Sequence, residues 1–249
     1  MTDLRQARIY QMRDYIFQHQ HPPAANRILD LGCGDGARSI ALAGRRFNRV
    51  TGVDTSESLL ELARNRVRRR NINVEFLRAD PHATSLEAAS FDEVLILGGL
   101  FGHGKTPRSD VELLLEAQRL LRRGGALKLS FSDGAWLREN IAAESVEPLS
   151  GGFVYRHKSI VDHGHCLKTE IVSADEETGV SHRRTMLEWL YTARDVSDLL
   201  HRLGFRAISY DPKLEVGLRA GTIGSAAPVR MVHCIAPPGN SPRLTLASG

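Results

Sequence analysis

The run Arg27-Ile28-Leu29-Asp30-Leu31-Gly32-Cys33-Gly34-Asp35-Gly36-Ala37-Arg38 constrains this chain more than any other stretch. Ile28, Leu29 and Leu31 form a short apolar segment, alternating glycines follow, and Ser39 to Ala43 continue in a helical pattern. That order reads as a buried strand, a tight turn and a helix N-terminus. Glycine at the bend permits positive φ and lets a ligand approach the main chain. The unpaired amides at the start of the helix make a polar cradle.

Two cofactor classes use such a cradle. Gly32, Gly34 and Ala37 satisfy the dinucleotide pattern G-x-G-x-x-G/A, and Asp54 stands about 20 residues on, where a ribose carboxylate belongs. Asp30 and Asp35, however, flank the turn, where they would repel a diphosphate and welcome a cationic ligand. Asp30, Gly32, Gly34 and Gly36 together resemble the first motif of the class I S-adenosylmethionine-dependent methyltransferases, whose ligand carries a sulfonium and an ammonium. The nicotinamide alternative stays open on the glycines alone.

The resemblance implies a Rossmann-like, doubly wound sheet of seven strands with the last one antiparallel, and it extends along the chain. Alternating strands and helices argue independently for the doubly wound sheet. Arg49 to Asp54 reads as the second strand, and the resemblance gives its terminal Asp54 to the ribose hydroxyls; capping of the helix that begins near Ser56 is the structural alternative. Asn73 to Arg78 is the third strand, and Asp80, with Ala79 and Pro81, falls where the family holds adenine. Phe91 to Gly99 is a buried fourth strand. The implied cofactor-binding set is Asp30, Gly32, Cys33, Gly34, Gly36, Asp54, Thr55, Leu59, Ala79, Asp80, Pro81, Leu97 and Gly98. Beyond it, Leu100 to Lys105 lies in the family's methyl-transfer region, where His103 is a base able to take a proton from an acceptor hydroxyl, or a ring that packs over the pocket.

Ser109 and Glu112 read as a capping box for the next helix, with Val111, Leu114, Leu115, Gln118 and Leu121 as its core stripe and Gly124-Gly125 as its end. Leu120 to Leu127 resembles the family's turn into a fifth strand, with Arg123 where proline is usual. Residues 151–191 change character: Phe153 to His157, Leu167 to Val172 and Arg184 to Tyr191 read as strands with no helix between them, an antiparallel insertion after the fifth strand. In the resembling enzymes this place holds a substrate lid or a subunit contact. Tyr15, Phe101, Trp136, Tyr155, His157 and Trp189 are the candidate substrate residues. Thr192 and Asp195 make a further capping box, the helix ends at Gly204, and Phe205 to Tyr210 and Val229 to Ile235 complete the sheet.

The organisation expected is a cap helix over 1–25, the cofactor-binding core over 26–140, the lid or dimer insertion over 141–191, completion of the core sheet over 192–236 and a loose tail over 237–249. A chain of 249 residues with 42% hydrophobic and 25% charged residues suits one such domain. No run reaches the roughly 18 apolar residues of a membrane span, and charges interrupt residues 1–20, so a cytoplasmic protein is expected. Cys33, Cys166 and Cys234 suggest neither disulfide frame nor metal knuckle, and His157, His163, His165 and His182 show no ligand spacing. The net charge of +4 invites a nucleic-acid reading, but much of it sits in Arg64, Arg66, Arg68, Arg69 and Arg70 on the solvent side of one helix.

The reaction expected is in-line transfer of the methyl group from S-adenosylmethionine to an oxygen or nitrogen of a small metabolite. The rivals are nucleic-acid or protein methylation and a cofactor-binding regulator without chemistry. A homodimer is the other use of the insertion.

Overall fold

The computed structural model describes residues 26–44, 49–68, 72–175, 178–211 and 228–238. The expected cap helix with Tyr15, Arg69 and Arg70, and the tail beyond residue 238 lie outside the described residues. The chain runs β1 (Arg27–Leu31), α1 (Ala37–Ala43), β2 (Arg49–Asp54), α2 (Glu57–Val67), β3 (Val74–Arg78), β4 (Phe91–Ile96), α3 (Pro107–Leu120), β5 (Leu121–Ser132) and α4 (Gly134–Asn140). There follow β6 (Glu144–Leu149), β7 (Gly152–Val161), β8 (Cys166–Asp175), β9 (Ser181–Trp189), α5 (Ala193–Arg202), β10 (Arg206–Tyr210) and β11 (Val229–Ile235).

A seven-stranded sheet has the order β10-β11-β5-β4-β1-β2-β3. The strands β1 to β5 pair in parallel, and β11 runs antiparallel to both β5 and β10. The doubly wound sheet with an antiparallel last strand is therefore as expected. The apolar runs of β1 and β4 have no polar alternation because both faces are covered. One face packs Leu29, Leu31, Val94 and Ile96 against Leu113, Leu114 and Leu120 of α3 and Val196 and Leu200 of α5. The other packs Ile28, Leu95, Leu97 and Met231 against Leu42 and Ala43 of α1.

The insertion is a separate antiparallel sheet, β6-β7-β8-β9. It has four strands rather than the three read from sequence. The extra strand β6 lies at the edge, is mostly exposed and contains Pro148, so neither alternation nor apolar content marks it.

Two helix details also differ. α3 starts at Pro107 after Thr106, with no side-chain cap, so Ser109 and Glu112 form no capping box. Proline at the first helical position has φ already set and lacks only an amide that would be unpaired there, so the helix begins a turn earlier. Its buried stripe is Leu113, Leu114, Ala117 and Leu120, and it ends at Leu120 before the glycines. Three consecutive leucines, 113 to 115, leave the phase of the stripe undetermined by spacing. The Thr192–Asp195 capping box is present with both reciprocal bonds.

Candidate active site

The carboxyl ends of β1, β2 and β4 frame the site. After Leu31 the chain reverses through Gly32 (φ 71°), Gly34 (φ 55°) and Gly36 (φ 72°). Gly32 and Cys33 donate their amides to the Val53 carbonyl at 2.8 and 3.0 Å, and Gly34 donates to Asp54 Oδ2 at 2.8 Å. Asp54 Oδ1 accepts the Ser56 amide at 2.9 Å. One carboxylate thus ties the bend after β1 to the start of α2. The bend glycines have different roles. A Cβ on Gly36 would lie 2.6 Å from both Ala63 Cβ and Phe76 Cζ, so Gly36 allows close packing. A Cβ on Gly34 would meet nothing within 4 Å, which leaves a cradle beside Asp54.

The charges at the bend differ from the sequence reading. Asp30 is fully buried and gripped by Arg38, with Nε 3.0 and 3.1 Å from its oxygens and Nη2 2.5 Å from Oδ1, while Ser39 Oγ donates to Oδ2 at 2.7 Å. Asp35 pairs with Arg66 at 2.7 Å and accepts the Ala37 amide at 3.2 Å. Neither carboxylate is therefore a spare negative charge: buried Asp30 stays ionised only with its partner, and the more exposed Asp35 is paired at the surface. Two consequences hold. Asp35 already occupies an amide in the first turn of α1 that a diphosphate would need. Arg38 brings a cationic edge between the two bends, its Nη1 3.4 Å from where a Gly98 Cβ would stand.

The remaining expected cofactor residues line the same edge unevenly. Thr55, between Asp54 and the Ser56 cap of α2, and Leu59, in the first turn of α2, are exposed. Asp80 is exposed and its Oδ1 accepts from the His82 amide at 2.9 Å and contacts His82 Nδ1 at 2.8 Å; the amide bond chiefly holds its carboxyl below the usual range. Its other oxygen makes no bond among the described residues. Ala79 is half-buried and Pro81 buried. Gly98 (φ 86°) donates its amide to Ser130 Oγ at 3.1 Å. Leu97 is 1% exposed and points into the core beneath α1, so only its main chain faces the site. Cys33 is buried in the bend, and burial, then the charges of Asp30 and Asp54, push its thiol up.

On the acceptor side the structure separates residues that the sequence grouped. The ring of His103 is half-buried near Gly99, with Nδ1 3.4 Å from the Phe101 carbonyl. Phe101 is 1% exposed and packs on Tyr191 (ring centroids 4.9 Å apart) and Phe131 (6.3 Å), so its side chain belongs to the core and is no substrate wall. Trp189 donates its indole N–H to the Gly104 carbonyl at 2.9 Å and fixes the loop after β4. Trp136 packs with Leu137, Leu167 and Leu190 beneath the second sheet. Tyr155 and His157 lie on the face of that sheet away from α4 and engage Glu144, His157 at 3.7 Å.

Two carboxylates of the site were not found by sequence reading. Asp110, 1% exposed, accepts from the Gly102 amide at 2.8 Å and the Tyr191 hydroxyl at 2.9 Å. Glu188 accepts the hydroxyl of Ser132 at the end of β5. Only the isolation of Glu188 among Met186, Leu187 and Trp189 marks it in the sequence. Among the described residues there is no cluster of metal-binding side chains and no helix long and apolar enough to cross a membrane.

This fold, with its glycine bend and its carboxylates ending β2 and following β3, is that of the class I S-adenosylmethionine-dependent methyltransferases. Residues 28–125 match the methyltransferase domain family. It is 34% identical over 141 residues to the ubiquinone/menaquinone biosynthesis C-methyltransferase UbiE of Allorhizobium ampelinum, a match covering 53% of each chain. It is 37% identical over 108 residues to the 27-O-demethylrifamycin SV methyltransferase of Amycolatopsis mediterranei, covering 43% of this chain and 38% of that one. The chain thus spans about half the length, or less, of the curated relatives it matches. Among solved structures it resembles an S-adenosylmethionine-dependent methyltransferase of Clostridium acetobutylicum (TM-score 0.69, 14% identity, 95% of this chain and 93% of that one). It also resembles the amino pentose methyltransferase CalS10 of Micromonospora echinaspora (TM-score 0.60, 21% identity, 92% and 89%).

Proposed function

We infer that this chain transfers the methyl group of S-adenosylmethionine to an oxygen or nitrogen of a small metabolite by in-line displacement. The observation that carries this reading is the open cradle at Gly34, bordered by Asp54 and followed along the same sheet edge by Asp80. The residues present fit the cofactor. Asp54 would accept from the ribose hydroxyls with the lone pairs its two amide bonds leave free, and the unbonded oxygen of Asp80 would accept from the adenine amino group. Arg38 offers Nη1 to the carboxylate of the methionine end, while Asp30 acts through Arg38 and does not itself reach the ligand.

The bound cofactor supplies a methyl already activated on a sulfonium. The protein's part is then alignment and exclusion of water, which are large effects without any covalent intermediate. The half-buried His103 stands on the loop after β4. A carbonyl only accepts, so the contact of Nδ1 with Phe101 favours the tautomer that leaves Nε2 basic. A hydroxyl acceptor would give its proton to Nε2, whereas an amine would react through its free lone pair. The named activities of the relatives include carbon and oxygen methylation, and one structural neighbour is an amino pentose methyltransferase, all on small molecules. The three free, buried cysteines suit a reducing compartment, the cytoplasm.

The test is a screen for S-adenosylhomocysteine release across hydroxyl and amine metabolites with the full chain. Turnover that falls by about 100-fold in His103→Phe for a hydroxyl acceptor supports proton removal by His103. Unchanged turnover excludes that role.

A further inference from the structure

We propose that the second sheet carries an anion site for the methyl acceptor, built on Arg156 and Lys158, so that the acceptor is a small molecule bearing a carboxylate or a phosphate. This rests on the methyltransferase reading above.

Strand register places these residues on one face. Arg156 stands opposite Ser145 on β6 and Ile171 on β8, and Lys158 stands opposite Thr169, which in turn pairs with Met186 on β9. Two residues along, Ile160 pairs with Leu167 and Leu167 with Glu188. Ile160 and Leu167 pack against Leu137 and Trp136 of α4, so this face turns toward the main sheet. Glu188, on the same face, takes the hydroxyl of Ser132 at the carboxyl end of β5. Ser130, two residues before, holds the Gly98 amide. The face of Arg156 and Lys158 is therefore continuous with the edge where the methyl group would lie. By strand geometry Lys158 is about 12 Å from Glu188, the span of a metabolite with its anion at one end and its reacting atom at the other.

The donors of the two cations on this face are only partly taken up. Arg156 and Lys158 are each 6% exposed. Arg156 donates through Nη2 to Glu147 at 2.9 Å, but its Nε is buried without a partner, and so is Ser145 Oγ directly across the strand pair. Lys158 makes no ion pair and no side-chain hydrogen bond among the described residues. Burial, and next the charge of Arg156, push its ammonium below the usual range, while Glu188 opposes them. Folded proteins rarely leave buried donors empty, and a buried cation calls for an anion. A guanidinium fork beside an ammonium matches the oxygens of a carboxylate or phosphate. The opposite face, with Tyr155 and His157 paired to Glu144, offers no such set.

The experiment is calorimetric titration of the full chain with inorganic phosphate and, separately, with acetate, each variant also being titrated with S-adenosylhomocysteine. At least one anion should bind saturably, and the stronger of the two identifies the acceptor's group. Lys158→Met and Arg156→Gln should each weaken it by about tenfold or more, and Lys158→Arg should restore it. Arg183→Gln, on the opposite face, should leave it unchanged. Absence of saturable binding by either anion, or wild-type binding in both Lys158→Met and Arg156→Gln, overturns the proposal. If Lys158→Met also loses S-adenosylhomocysteine, the folded Lys158→Arg and Arg156→Gln variants decide. A wild-type chain that takes the anion but not S-adenosylhomocysteine instead removes the methyltransferase reading.

Discussion

Tyr191 donates its hydroxyl to Asp110 Oδ2 at 2.9 Å, joining the end of the second sheet to the first turn of α3 across 81 residues of sequence. The other oxygen of Asp110 holds the Gly102 amide, and Trp189 holds the Gly104 carbonyl. The loop bearing His103 is thus clamped from both sides by buried bonds, and its position over the site follows from the docking of the second sheet. Burial pushes the Tyr191 hydroxyl up, as do the charge of Asp110 and their bond, so it remains a donor.

Asp110 makes stability pH-dependent in an unusual direction for a carboxylate. Burial raises its pKa against the two hydrogen bonds that lower it. Between the unfolded value of about 3.9 and the raised folded value, the native state binds more protons than the unfolded state, so this group's contribution falls as pH rises. Asp110→Asn cannot ionise; its Oδ1 can still accept from the Gly102 amide and its side-chain N–H can donate to the Tyr191 oxygen, which then accepts. Urea unfolding across this pH window should show the variant gaining stability relative to wild type as pH increases.

Arg38 should matter to folding before it matters to ligand. Arg38→Met leaves the buried Asp30 carboxylate with only Ser39 and should cost about 3 kcal/mol in urea unfolding. Adding Asp30→Asn should recover more than half of that loss, because the orphaned charge is gone. The double variant should still bind S-adenosylhomocysteine more weakly than wild type, which separates the ligand contact from the structural pair.

Gly34→Ala and Gly36→Ala should part company. Both positions have positive φ, which costs an alanine roughly 1–2 kcal/mol. At Gly36 the new Cβ also strikes Ala63 and Phe76, so the variant should be severely destabilised in a thermal melt. At Gly34 the Cβ meets no protein atom, so that variant should fold and lose cofactor affinity by filling the cradle.

The sequence made legible what depends on near neighbours. The bend from Gly32 to Gly36, the strand ending in Asp54, the capping box of Thr192 and Asp195 and the continuous apolar strand β4 each carry their signal within a few residues. The edge strand β6 did not, because it buries little. Pairs brought together by the fold were also hidden: Asp30 with Arg38 lies 8 residues apart, Ser132 with Glu188 lies 56 apart and Asp110 with Tyr191 lies 81 apart. A carboxylate read as free charge at a glycine bend was therefore a buried ion pair. The cofactor preference stands instead on Asp54, Asp80 and the occupied amide of Ala37.

Calorimetric titration of the full chain with S-adenosylhomocysteine and with NADH, for wild type and Asp54→Ala, tests the central claim most directly. The account predicts tight, one-to-one uptake of S-adenosylhomocysteine, weakened by about tenfold or more in Asp54→Ala, and no uptake of NADH. Tight binding of NADH with indifference to S-adenosylhomocysteine would contradict it.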